Sequence, residues 1–167
     1  MSLTVIMIQI EYLPIVLTGI GIIVSILYYT SVLRNQNRTR EAQLFLQFTN
    51  PFLSGEKGEY WNKISEWEFS DYDDYYTRIL SDPENRKNYS QISYWLETLG
   101  VYVHEGLIPI RLVALTMTSM VASFWEKFGP IIIEKRVREN VSRNLDQTEY
   151  LYNELMKYIE QHPELAT

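Results

Sequence analysis

Residues 14–33, PIVLTGIGIIVSILYYTSVL, contain no charged side chain. The run is about twenty residues long, the length an α-helix needs to cross the hydrocarbon of a bilayer. Pro14 suits the first turn of such a helix, where its missing N–H costs little. Tyr12 at one end and Tyr28 and Tyr29 at the other suit the interface, where a ring meets lipid on one side and water on the other. A secretory signal peptide is the rival reading. It has a basic start, a shorter apolar run and a small-residue cleavage site. Met1–Glu11 carries no Lys or Arg, and Tyr28-Tyr29-Thr30 makes a poor cleavage site. The segment therefore reads as a retained anchor.

Flanking charge sets the expected orientation. Glu11 is the only charge on the N-terminal side, whereas Arg34, Arg38 and Arg40 follow the run. Basic flanks stay cytoplasmic, which predicts a single-pass protein of the cell membrane, N-terminus outside and the remainder in the cytoplasm. Thr18, Gly21 and Ser25 recur at helical spacing as a small-residue face, the kind that lets two membrane helices approach closely.

One membrane segment in 167 residues leaves a domain of roughly 115–130 residues, large enough to bury a core without disulfides. There is no cysteine, which removes disulfides, thiolate nucleophiles and Cys-based zinc sites. The net charge of −6 argues against nucleic acid as a partner. The partners expected are membrane lipid and a protein, either a second copy or a membrane complex.

Beyond the anchor every regular segment reads as helix. Residues 35–49 carry an apolar stripe at Ala42, Phe45, Leu46 and Thr49, so the membrane helix is expected to extend into the cytoplasm and to stop near Asn50-Pro51. Ser54–Gly58 reads as a loop, and Glu59–Phe69 as a short helix. Ser70 or Asp71 is expected to cap Tyr72–Leu80. Asp82-Pro83-Glu84 is a helix start, with a cap, a proline at the first position and an acid against the dipole. The helix it opens should bury Ile92, Trp95, Leu96, Leu99, Tyr102 and Val103 and end at Gly106. Pro109 opens another through Phe128, with Gly129-Pro130 as its stop. Its uncharged stretch, Val113–Phe124, is only about a dozen residues long and reads as a core helix rather than a second span. Pro130–Val141 and Gln147–Gln161, the latter capped by Asp146, complete an irregular bundle, and His162-Pro163 starts a tail. The fold class is all-α: a short segment 1–12, a transmembrane helix 13–33, a helical extension 34–50 and a helical domain 51–167.

Chemistry is sparse. Asp71, Asp73 and Asp74 lack the glycine and distal glutamate of a calcium loop and read as dipole partners of a helix start. His104 and His162 stand in no ligand spacing. Lys135, Arg136, Arg138 and Arg143 alternate with Glu134 and Glu139, as on a salt-linked helix face; contact with lipid headgroups is the weaker alternative. The four tryptophans and thirteen tyrosines read as core before they read as a ligand pocket. No P-loop, GxGxxG or GxSxG is present. No catalytic, cofactor or metal site is therefore assigned, and the chain is not read as an enzyme.

Five stretches, TREAQLFLQF (39–48), WEFSDYDDY (67–75), YWLETLGVYVHEGLI (94–108), FWEKFGPIIIEKRVR (124–138) and YLYNELM (150–156), occur in an order that resembles a family of short prokaryotic proteins. These pair an N-terminal membrane helix with a helical domain of unknown function. Pro109 departs from the pattern, which has an acidic cap there. The resemblance implies a module of core and turn residues, with Arg136 and Arg138 available to Glu97 or to Asp71–Asp74. Three functions stay open: a membrane-anchored interaction or scaffold protein, an accessory subunit of a larger membrane complex, and a small-ligand sensor or enzyme with an aromatic pocket.

Overall fold

The computed structural model describes residues 3–165, and every regular element among them is helical. The chain divides into two compact units, residues 1–40 and 41–167. Helix α1, Leu3–Leu53, contributes to both. In the first unit, its stretch from Tyr12 to Arg40 is exposed nearly throughout, apolar side chains included.

In the second unit α1 ends later than the sequence suggests. Pro51 lies in the last turn, where its missing N–H deprives only the Gln47 carbonyl of a helical partner. The chain leaves the helix at Ser54-Gly55, with Gly55 at φ +88. The expected loop therefore shrinks, and α2 already begins at Glu56, running Glu56–Ser65. The buried stripe of α1 is also rotated from expectation. Phe45 and Thr49 are buried and Phe48 and Phe52 pack on the core, but Ala42 and Leu46 face solvent.

Residues 66–71 leave helix, where helix is expected as far as Phe69. Asp71 then caps α3, Tyr72–Asp74, its Oδ1 accepting from the Asp74 N–H at 2.9 Å. A π-helical turn, Tyr75–Ile79, follows and closes with the Leu80 N–H on the Tyr75 carbonyl. Asp82 caps α4, Pro83–His104, by accepting from the N–H groups of Glu84 and Asn85. Gly106, at φ +66, turns the chain beyond it. All of the predicted α4 stripe is buried except Tyr102, which is half-buried.

The next pair of helices divides differently from the sequence reading. Helix α5, Ile110–Thr116, stops at Met117, and α6, Thr118–Glu139, runs straight through Gly129-Pro130. Val113, Ala114, Met117 and Val121 are all buried across the junction. Pro130 does not end α6 because Phe124, Phe128, Ile131 and Ile132 form one buried stripe across it. Each such side chain contributes about 1.5–3 kcal/mol, which together outweigh the ~3 kcal/mol of an internal proline. Gly129 fits for a second reason: a Cβ there would meet the Trp125 indole at 3.1 Å.

Helix α7, Asp146–Gln161, takes no side-chain cap from its own sequence. Leu145 stands at the cap position with φ +54, and Asp146, the expected cap, is the first helical residue. Across the core, Phe128 has five aromatic neighbours, Trp67, Phe69, Tyr75, Tyr89 and Phe124, at centroid distances from 5.0 to 6.3 Å. A 3-10 turn, Pro163–Leu165, follows α7.

Candidate functional site

The residues singled out on α1 sit on an unobstructed helix. Thr18 Oγ1 donates to the Pro14 carbonyl at 2.8 Å, and Ser25 Oγ to the Gly21 carbonyl at 2.7 Å. Both hydroxyls are thus satisfied within the helix, as lipid would require. A Cβ on Gly21 would meet no described atom within 4 Å. Arg34, Arg38 and Arg40 are exposed one after another along the same helix.

In the domain, most polar groups that suggested chemistry are spent on architecture. Asp71 caps α3, Asp73 Oδ1 accepts from Arg138 Nη1 at 2.6 Å, and Asp74 Oδ2 accepts from Arg78 at 2.9 Å and from the Ser70 N–H. Among the described residues no group of three acidic or His side chains is placed to hold a metal ion. His104 Nδ1 lies 2.8 Å from Gln147 Oε1, with its ring stacked on Tyr150, and His162 stacks on Tyr158.

Arg138 reaches Asp73, as expected, and also Glu134 at 2.5 Å. Its guanidinium lies over the Tyr72 ring, whose hydroxyl donates to Glu139 at 2.9 Å. Desolvation and that bond push the Tyr72 phenol up to about 12. Arg136 does not meet Glu97; it pairs with Glu149 and donates to the Asn144 carbonyl. Glu97 instead serves α7, accepting from the Thr148 N–H and hydroxyl, each at 2.8 Å, and from the Gln147 N–H at 3.3 Å. It supplies the N-terminal cap that Leu145 cannot. Burial raises the Glu97 carboxyl above its ordinary range against the lowering effect of those bonds, and the neighbouring Asp146 carboxyl pushes the same way.

Two features escaped the sequence reading. Ile133 and Val137 on α6, and Val141 just past its end, are exposed at four-residue spacing, Val137 at 80%. The spacing is visible in the sequence, but the charges interleaved with it disguise the row as a purely solvated face. The second feature is a pocket of about 290 Å³ bordered by the π-helical turn, α4, α6 and the approach to α7. Its residues come from four segments far apart in the chain, so no local motif announces it.

No curated protein and no solved structure matches the chain. A family model, described as a domain of unknown function, DUF4760, matches residues 15–155. That match takes in most of the apolar run together with the helical domain, and the chain belongs to the DUF4760 family.

Proposed function

We propose that this chain is a membrane-anchored interaction protein whose first helix spans the cell membrane once, N-terminus outside, and whose domain binds a protein partner in the cytoplasm. The observation that carries this reading is an apolar stretch of α1, long enough to cross a bilayer, of which nothing is buried in protein. Leaving large apolar side chains such as Ile15, Leu17, Ile22, Ile23 and Leu27 in water is unfavourable, and a bilayer removes that cost. The family match begins at residue 15, inside the apolar run, which favours a permanent part of the protein over a removable leader. The likeness to short prokaryotic proteins with a membrane helix agrees with this. Exposed Arg34, Arg38 and Arg40 support the cytoplasmic assignment.

The partner reading rests on Ile133, Val137 and Val141, an apolar row bordered by the Glu134–Arg138 and Lys135–Glu139 ion pairs. An apolar centre with a polar rim is the composition of a protein interface. An accessory subunit of a larger membrane complex is the second reading, favoured by the unobstructed face at Thr18, Gly21 and Ser25. In that case Gly21→Ile would insert normally but leave its assembly on a native gel.

The absence of cysteine makes the topology directly testable. An impermeant maleimide added to intact cells should label Tyr12→Cys and reach Glu66→Cys only after permeabilisation. The opposite pattern would invert the orientation, and recovery of the chain in the soluble fraction would remove the anchor.

A further inference from the structure

The pocket in the domain is chemically one-sided. Arg86 and Lys135 are among its lining residues and no carboxylate is, in a chain whose net charge is −6. The other donors include the hydroxyls of Ser90, Ser93 and Tyr94 and the Asn144 amide. Neither cation is fully engaged. Arg86 gives Nε and Nη2 to the Leu80 carbonyl, at 3.2 and 3.0 Å, which leaves Nη1 of its five-donor fork outside that contact. Lys135 Nζ stands 3.8 Å from Glu139 Oε2, beyond hydrogen-bond reach, while the other oxygen of Glu139 holds the Tyr72 hydroxyl.

Ser93 adds an independent indication. It is 3% exposed, yet its hydroxyl reaches only the Ser90 carbonyl, at 3.4 Å. An O–H···O bond of ordinary strength is about 2.7–2.8 Å, so this hydroxyl holds only a long contact within the protein and is left to serve a ligand. Asn144 is held in place by Arg136, whose Nε donates to its carbonyl at 2.8 Å. The wall is thereby ordered before any ligand arrives.

We propose that this pocket binds a phosphate monoester. Donors converging from separate segments suit a tetrahedral dianion with three terminal oxygens better than a planar carboxylate, which a single fork would satisfy. The volume, about 290 Å³, lies just under the range for small-molecule sites, about 300–1,000 Å³, and is enough for the phosphate and a short organic body. The exposed ring of Tyr94 is available to cover that body. The same headgroup chemistry is carried by a soluble metabolite and by phosphatidic acid, and the test separates them.

The full chain in phosphatidylcholine nanodiscs is titrated with glycerol 3-phosphate, and a parallel series carries graded phosphatidic acid instead. The thermal midpoint is read in each, because a ligand that binds only the folded state raises it by mass action. A saturable rise is expected in one series, naming the source. Its half-saturation should move at least tenfold in Arg86→Gln and in Lys135→Gln, and at least threefold in Ser93→Ala, which changes no charge. It should survive in Lys135→Arg and in Arg143→Gln, a basic side chain outside the pocket. No saturable rise in either series would overturn the proposal, as would a rise that Arg143→Gln weakens as much as Arg86→Gln.

Discussion

A Cβ placed on Gly100 would fall 2.1 Å from the carbonyl oxygen of Gln147, so α4 and α7 meet backbone to backbone at the first turn of α7. Neither side can yield as a flexible side chain would. Gly100→Ala must push the helices apart, and it should cost about 3 kcal/mol, the upper range for overpacking. Urea denaturation of residues 41–167 measures it. A loss below about 1 kcal/mol would mean that α7 is free to shift.

The same junction carries a pH dependence. The Glu97 carboxyl titrates above its ordinary value in the fold, so the folded state holds its proton more tightly than the unfolded state. The stability from this group is complete below the unfolded value and is lost as pH rises through the raised folded value. Gln at this position does not titrate and keeps an acceptor oxygen for Thr148. The advantage of the natural protein over Glu97→Gln should therefore be larger at pH 4 than at pH 7, in paired denaturation curves. An advantage that grows with pH would reverse the assignment.

Trp95 and Trp125 look equivalent as aromatic core residues in the sequence, but they are held differently. Trp95 stacks on Phe48 and Phe52 at 4.7 and 5.2 Å, and its indole N–H donates to the Phe48 carbonyl. Trp125 is half-buried, lying over Gly129 and beside Tyr152. Trp95→Ala should cost about 3–5 kcal/mol. Trp125→Ala should cost about 1–2 kcal/mol, in proportion to its smaller burial. Equal losses in the two variants would show that exposure does not govern their contributions.

What the sequence made legible follows from how local each signal is. Asp82-Pro83-Glu84 and Gly106 bracket α4 because cap, proline and left-handed glycine act within a few residues. The stop expected at Gly129-Pro130 did not occur, because burial of Phe124, Phe128 and Ile132 outweighs a single lost bond, and α1 runs past Pro51 because a proline in the last turn deprives only one carbonyl of its partner. The cap of α7 was not readable near Asp146, since it comes from Glu97 on another helix. The row at Ile133, Val137 and Val141 was hidden by its charged neighbours, and the pocket by its assembly from separated segments.

The central claim, a membrane-anchored domain that holds a partner on the outer face of α6, is tested most directly at Val137. A photo-crosslinking amino acid is placed there in the full chain, and a second copy of the experiment places it at exposed Lys63, on α2. Irradiated membranes should yield one discrete adduct from position 137 and none from position 63, and Ile133→Glu in the same chain should abolish it. No adduct at 137, or the same adducts from both positions, would contradict the account.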